Sequence, residues 1–408
     1  MAVTDATVTK EKTPDVVKQT DWHLFFRGSD NIFINDLALR AKRSPTHGAI
    51  LQSKATYTAG QGFQYLQNDE IIEPDQKLLD YTAEVNSNGD SLHWLFGKVA
   101  YDYIYSGNAY IEVVRGKEFT SLFYKDSTKI RVSNDKAYIS AFWRDIKNEQ
   151  TTDKRKPIES VDLWDGNVET KQKRFIIHIK NHVPEYDFYG LPEHLPVLKW
   201  ADIEYKMVQF NLDMLKNGFF PSVAIDIVGT PPEGMTGQQY VEEIRDKLTD
   251  EGNNHKMFIQ LVDDVAQATN ITEFSSVKDG QMMELSGLAV DNIIAGHRWF
   301  PSLAGLAISG SLGSNQQIRN EYNIALKGVI IPQFQKPLER VFNNILKMVG
   351  FDVKVEVINV APVGIEDRIE PKEVMTVNEQ RELLGIETLE GQDVIKETQK
   401  GGMNGTNN

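Results

Sequence analysis

Between Leu195 and Gly218 the chain repeats apolar residues at helical spacing on two faces at once. Leu198, Ala201, Tyr205, Val208, Leu212 and Leu215 step by three and four, Met207, Phe210 and Met214 form a second stripe, and Asn217-Gly218 supplies a stop. A helix apolar on two faces must be sandwiched between neighbours. A second long helix is predicted from about Asp279 to Trp299, ending at Phe300-Pro301. The residues between the two helices read as a compact insert. It has a strand in SVAIDIV, a Pro-Pro turn, a helix opened by Thr236 with Gln239 at capping-box spacing, and strands near MFIQLV and ITEF. Tyr240, Ile244 and Leu248 give the insert's helix one stripe to bury. Two long helices flanking a small α/β insert restrict the architecture more than any other feature.

The flanking regions have a different character. A helix is predicted from Ser44 to Thr58, with Pro45 at its first position and AGQGF breaking it. Another follows NSNGD, with Asp90 as candidate N-cap, Leu92, Leu95, Phe96, Val99 and Tyr103 as its stripe, and Gly107-Asn108 as its stop. Strand character marks YIEVV, FTSLFY, KIRV, AYISAFW (Ala137 to Trp143) and RFIIHIK, which predicts a mostly antiparallel sheet. Beyond the second long helix, GLAISGSLGS (Gly305 to Ser314) reads as a mobile loop. It leads into a helix from Asn315 to Met348 that Pro332 should kink or break. VKVEVI is a strand, and Thr376 with Glu379 forms another capping box. The first twenty residues and KGGMNGTNN at the other end read as polar tails. No period of about 20 to 50 residues repeats.

Composition removes several function classes. Among 408 residues, 44 basic and 58 acidic side chains leave a net charge of −14, against the basic footprint that coating nucleic acid requires. The insert, residues 218–276, holds ten acids and three bases and so carries half of that charge. Zero cysteines exclude disulfides, thiolate metal sites and thiol nucleophiles. The first twenty residues lack the apolar core of a signal peptide, and no stretch approaches the ~20 apolar residues of a spanning helix, so a protein made and kept in the cytosol is expected.

Candidate chemistry is sparse. Gly305 and Gly310 have the gap of a phosphate-binding loop, but Ser311-Leu312 stands where Lys and Ser or Thr are needed. His178 and His182 have the spacing of a metal pair on a helix, yet lie in a strand running into a loop. NSNGD resembles part of a calcium loop, but counting from Glu84 the twelfth position is Leu95. Carboxylate pairs such as Asp263-Asp264 and Glu242-Glu243 read as solvated surface. No catalytic, cofactor or metal residue is assigned.

Six segments, in order, are similar to the portal (head-to-tail connector) proteins of tailed bacteriophages, of the long-tailed type. They are SPTHGAILQSKATYTAGQGF, SGNAYIEVVR, YGLPEHLPVLKW through LKNGFFPSVAI, WFPSLAGLAISGSLGSNQQ, IPQFQKPLERVFNNIL and TVNEQRELLGIETLEG, within about residues 30 to 395. The resemblance implies an α+β portal-type fold with an antiparallel wing sheet, long stem helices, a small α/β clip insert and a short helical C-terminal crown. Its boundaries would be a tail over 1–25, wing 26–194, stem helix 195–217, clip 218–276, second stem helix 277–300, tunnel loop 301–315, wing 316–362, crown 363–395 and tail 396–408.

It further implies a non-enzymatic subunit of a ring, usually of twelve, at one capsid vertex of the virion, assembled in the host bacterial cytoplasm. Double-stranded DNA would pass the tunnel-loop residues Ser309, Ser311, Leu312, Ser314, Asn315 and Gln316, whose neutral polar groups touch duplex without gripping it. The clip acids Glu242, Glu243, Asp246, Asp250, Glu251, Asp263 and Asp264 would meet the terminase large subunit and head-completion or tail adaptor proteins, and the wing the major capsid protein. No cofactor and no membrane partner are implied. Trp299-Phe300 is bulkier than the family pattern suggests, either a core anchor or a channel constriction, with packing beside Pro301 favouring the core. The alternatives are a soluble enzyme binding a phosphorylated ligand through Gly305 to Ser314, and a different virion ring such as a tail adaptor.

Overall fold

The computed structural model describes residues 27–28, 31–144, 158–184, 186–217, 224–248, 258–262, 279–305, 315–360, 378–379 and 381. The chain divides into two compact units, one of residues 1–312 and 321–360, the other of residues 313–320 and 361–408.

Helices form the backbone of the larger unit. α1 (Phe33–Arg43) is absent from the sequence reading and buries Phe33, Ile34, Leu37 and Ala41. A single extended residue, Ser44, separates it from α2 (Pro45–Ala59), where the Ser44 side chain accepts from the His47 amide and Pro45 takes the first helical position. Gly60 ends α2 at φ +62, and a Cβ there would lie 2.4 Å from Val357 Cγ1. Next along the chain among the helices come α3 (Gln76–Ala83), capped by Asp75, and α4 (Leu92–Ser106), which is buried along most of its length. The cap of α4 is Ser91, whose hydroxyl accepts from Trp94 N at 3.1 Å, rather than Asp90, which pairs with Lys98.

The expected antiparallel sheet is three small ones. β3 (Asn108–Arg115) is central to β4 (Thr120–Lys125) and β8 (Arg174–Lys180), and β6 (Lys136–Ile139) to β5 (Ile130–Val132) and β7 (Glu159–Asp162). AYISAFW leaves the ladder at Ile139, so Trp143 packs into the interior instead, its indole donating to Lys129 O at 2.7 Å. Tyr110, Ile130, Val132, Ala137, Val161, Ile176 and Tyr189 form a core shared by the two sheets.

In the third sheet β1 (Phe63–Gln67) lies between β2 (Glu70–Ile72) and β11 (Lys354–Val357), which brings Phe63 opposite Val357. Asn68 and Asp69 turn the β1–β2 hairpin with φ of +51 and +64.

The remaining helices follow the predicted order. α5 spans Leu198–Asn217, and α7 spans Asp279–Gly296, three residues short of the expected end because Arg298 turns to φ +50. Between them lie β9 (Ala224–Val228), α6 (Gly237–Leu248) and β10 (Phe258–Val262), with β9 and β10 parallel, a pairing that needs a crossover such as the one containing α6. The ITEF strand lies outside the described residues.

Pro332 does not end its helix. α8 (Asn315–Ala325) passes into a π-helical stretch, Leu326–Gln335, and then α9 (Lys336–Val349), with the Lys336 amide bonded to Ile331 O five residues back. The wider ladder accommodates a residue with no amide hydrogen. Buried Gln335 steadies the stretch by donating to Tyr57 O, Thr58 O and Asn359 Oδ1. Of the smaller unit, residues 315–320 are helical, as are Asn378, Glu379 and Arg381; Thr376 lies outside the described residues.

Candidate functional site

The two long helices and the segment after them form the feature that the sequence singled out. α5 and α7 pack together, with Ala201 and Met207 on the first and Ala289 and Ile293 on the second buried. Farther along the same helices Val208, Leu212, Leu285 and Leu288 are exposed. The two-faced stripe is therefore only partly used within one chain: Val208 and Leu212 share a face one turn apart, as do Leu285 and Leu288. Exposed apolar residues at helical spacing on adjacent elements fit association with another surface.

Polar contacts fix the N-terminal end of α5 and the C-terminal end of α7 to α1 and α2. Arg40 donates to both oxygens of Asp202, at 2.9 and 3.1 Å, and Glu204 accepts from the hydroxyls of Ser44 and Thr46. Lys54, wholly buried, donates to the Glu193 carboxylate and, at 2.8 Å, to His297 O. Burial pushes the Lys54 ammonium down from its ordinary range, and Glu193 opposes that shift. Arg298 reaches the other Glu193 oxygen at 2.7 Å. Trp299 is 4% exposed, so the core-anchor alternative holds.

Three of the insert's acids, Glu242, Glu243 and Asp246, lie on α6. Thr236 and Gln239 form the expected reciprocal cap, Thr236 N donating to Gln239 Oε1 at 2.9 Å and Gln239 N to Thr236 Oγ1 at 3.3 Å. Glu242 is exposed, Glu243 is half-buried, and Asp246 belongs to the same helix. Asp250, Glu251, Asp263 and Asp264 lie outside the described residues. The loop residues Ser309, Ser311, Leu312 and Ser314 do too, whereas Asn315 and Gln316 open α8.

The competing chemistry loses its geometry. Gly305 follows a single 3₁₀ turn, Pro301–Ala304, and caps it at φ +72, where a phosphate-binding loop would follow a strand. His178 stacks on Tyr110 at 4.5 Å and bonds Asn108 Oδ1 at 3.0 Å; burial holds its pKa down at about 3, and His182 lies beyond the strand, in solvent. In NSNGD, Asn86 Oδ1 accepts from the amides of Asn88 and Asp90, a local turn. Among the described residues no three His, Cys, Asp or Glu side chains are arranged to hold a metal, and no helix is long and apolar enough to cross a membrane. A cleft of about 900 Å³ beside α3 mixes Lys77 and Lys117 with Asp80, Glu84 and Glu118, without a converging set.

Sequence reasoning missed Lys54, Glu193 and Arg298, and with them a buried group of histidines, His47, His194 and His297. No local spacing marks them, because each comes from a different part of the chain.

Comparison with known proteins adds the following. Residues 54–385 match the family described as phage portal protein. No match is found among curated protein sequences. Among solved structures, a chain from the virion of a native gene transfer agent particle aligns with TM-score 0.50 at 17% identity, covering 87% of this chain and 94% of its own; at that identity the fold is what is shared. Chains from the neck of the empty particle computed with C6 symmetry and of the native particle computed with C12 symmetry align at TM-scores of 0.48 and 0.47, both at 17% identity, covering 87% and 85% of this chain and 91% of their own.

Proposed function

The chain belongs to the phage portal protein family, and from that membership we propose that it assembles into a closed ring of about twelve copies at one vertex of a phage-like capsid. Proteins of this family are structural, and the chain is a portal or connector component rather than an enzyme. In the proposed assembly the ring is the channel through which double-stranded DNA enters and leaves. A terminase ATPase supplies the work of translocation.

The single observation that carries this reading is the continuous family match over 54–385, which takes in both long helices, the acidic insert and the segment after them. Supporting it, Val208, Leu212, Leu285 and Leu288 leave apolar area for neighbouring subunits. The acids Glu242, Glu243, Asp246, Asp250, Glu251, Asp263 and Asp264 form a clip that docks the terminase large subunit and later the head-completion or tail adaptor protein, while the wing meets the major capsid protein. Acidity near the channel repels phosphate, and Ser309, Ser311, Leu312, Ser314, Asn315 and Gln316 offer neutral contacts to sliding DNA. The protein resides in the virion after assembly in the bacterial cytoplasm.

Deleting Gly310 to Ser314 tests the conduit directly. Rings are expected to assemble as before while DNA packaged per capsid falls; normal packaging, or failure to assemble, would remove the channel role from this loop.

A further inference from the structure

We propose that His47, His194 and His297 form a protonation-sensitive latch that holds the start of α5 and the end of α7 against α2, closed while the three imidazoles are neutral and released when they take up protons. His47 stands in the first turn of α2, His194 directly precedes the 3₁₀ turn Leu195–Val197 that enters α5, and His297 directly follows α7. All three are at most 1% exposed. Their ring centroids make a nearly equilateral triangle, 4.8 Å from His47 to His194, 5.0 Å from His47 to His297 and 5.2 Å from His194 to His297.

One hydrogen bond, His47 Nδ1 to His297 Nε2 at 2.8 Å, joins two of the rings and needs one nitrogen as donor and the other as acceptor. Protonating both rings makes both nitrogens donors and destroys it. Among the described residues, His47 Nε2, His297 Nδ1 and both His194 nitrogens have no hydrogen-bond partner. A purely structural core gains nothing from four such nitrogens, since buried polar atoms without partners cost stability that an aliphatic cluster would not lose.

Among the described residues the charges facing the rings are mainly cationic, and Asp202, the carboxylate that favours a charged His47, is bound by Arg40. From α1 comes Arg40, from α2 Lys54 and from the end of α7 Arg298, all cationic. The carboxylates are already engaged: Asp202 by Arg40, Glu193 by Lys54 and Arg298, and Glu204 by Ser44 and Thr46. The junction is also closely packed, since a Cβ on Gly296 would sit 2.4 Å from Val197 Cγ2. Charging a ring therefore opens the contact.

Burial lowers all three histidines below the ordinary value of 6.5, His47 to about 4, with His194 and His297 also well below it. Because the closed form binds protons less well than the open one, closure is fully favoured above about 6.5 and is lost as pH falls from there. For His47 alone, values of 6.5 open and about 4 closed shift the equilibrium about thirtyfold towards opening between pH 7.5 and pH 5.

The test is hydrogen exchange on the full-length protein at pH 7.5 and pH 5, corrected for the intrinsic pH dependence of exchange, in residues 45–51, 194–203 and 291–298, with α9 as internal control. The three segments should open together by at least about tenfold while α9 changes far less. His194→Phe, which sacrifices no hydrogen bond, should match wild type at pH 7.5 and open less at pH 5. Unchanged protection of the three segments at pH 5, opening only in step with α9, or a His194→Phe protein with the wild-type pH response would each overturn the latch. The wild-type comparison needs no variant, so it decides the matter even where His194→Phe fails to fold.

Discussion

A lysine ammonium removed from water must be compensated on the spot, and Lys54 shows how the fold does it. Its side chain is 1% exposed, lies 5.6 Å from the Trp299 ring centroid and 5.7 Å from that of Phe334, and relies on Glu193 and His297 O for polar contact. Glu193→Gln leaves that cation buried without its counter-ion and should cost about 3 to 5 kcal/mol. Lys54→Met should cost clearly less, because Glu193 keeps Arg298 and no buried ion is orphaned. Urea denaturation of the two variants checks this, and equal losses or the reverse order would contradict it. Residue-level features that were legible in the sequence are local ones: Pro45 at the start of α2 and the Thr236–Gln239 box announce themselves within four positions. The Lys54–Glu193 pair spans 139 residues and the His47–His297 bond 250, so only the folded chain brings these groups together.

At the scale of elements, periodicity identified α4, α5, α6 and α7 and the longer strands because each carries a stripe or run several residues long. α1, α3 and the β1–β2 hairpin escaped. α1 has buried residues at helical spacing but begins at Ile32 with no side-chain cap, and the β1–β2 hairpin turns on Asn-Asp with half-exposed strands instead of Asn-Gly between clean alternations. Periodicity also located the stripe on α5 without saying what covers it. Ala201 and Met207 are buried within the chain, whereas Val208 and Leu212 are exposed, a split decided by which neighbours pack on α5. Val208→Glu combined with Leu212→Glu should leave the thermal midpoint of the isolated chain within a few degrees, since exposed positions typically change stability by less than about 0.5 kcal/mol each. The same variant should fail to assemble, because charges would be buried without partners at a subunit contact. Normal assembly, read by size-exclusion chromatography with light scattering, would place the ring contact elsewhere.

For the whole molecule, the net charge of −14 acquires a position as well as a sign, with half of it in the insert between the two long helices. The family match spans residues 54–385, from within α2 to beyond β11. Subunit number and partner contacts belong to surfaces that a single chain's pattern does not encode, because they depend on the angle at which identical copies meet. The most direct test is native mass spectrometry of the purified full-length protein, paired with negative-stain imaging. A closed ring with a central channel, of mass near twelve times the 46.2 kDa chain, is the predicted result; a chain that stays monomeric at every concentration and salt condition tried would contradict the portal assignment.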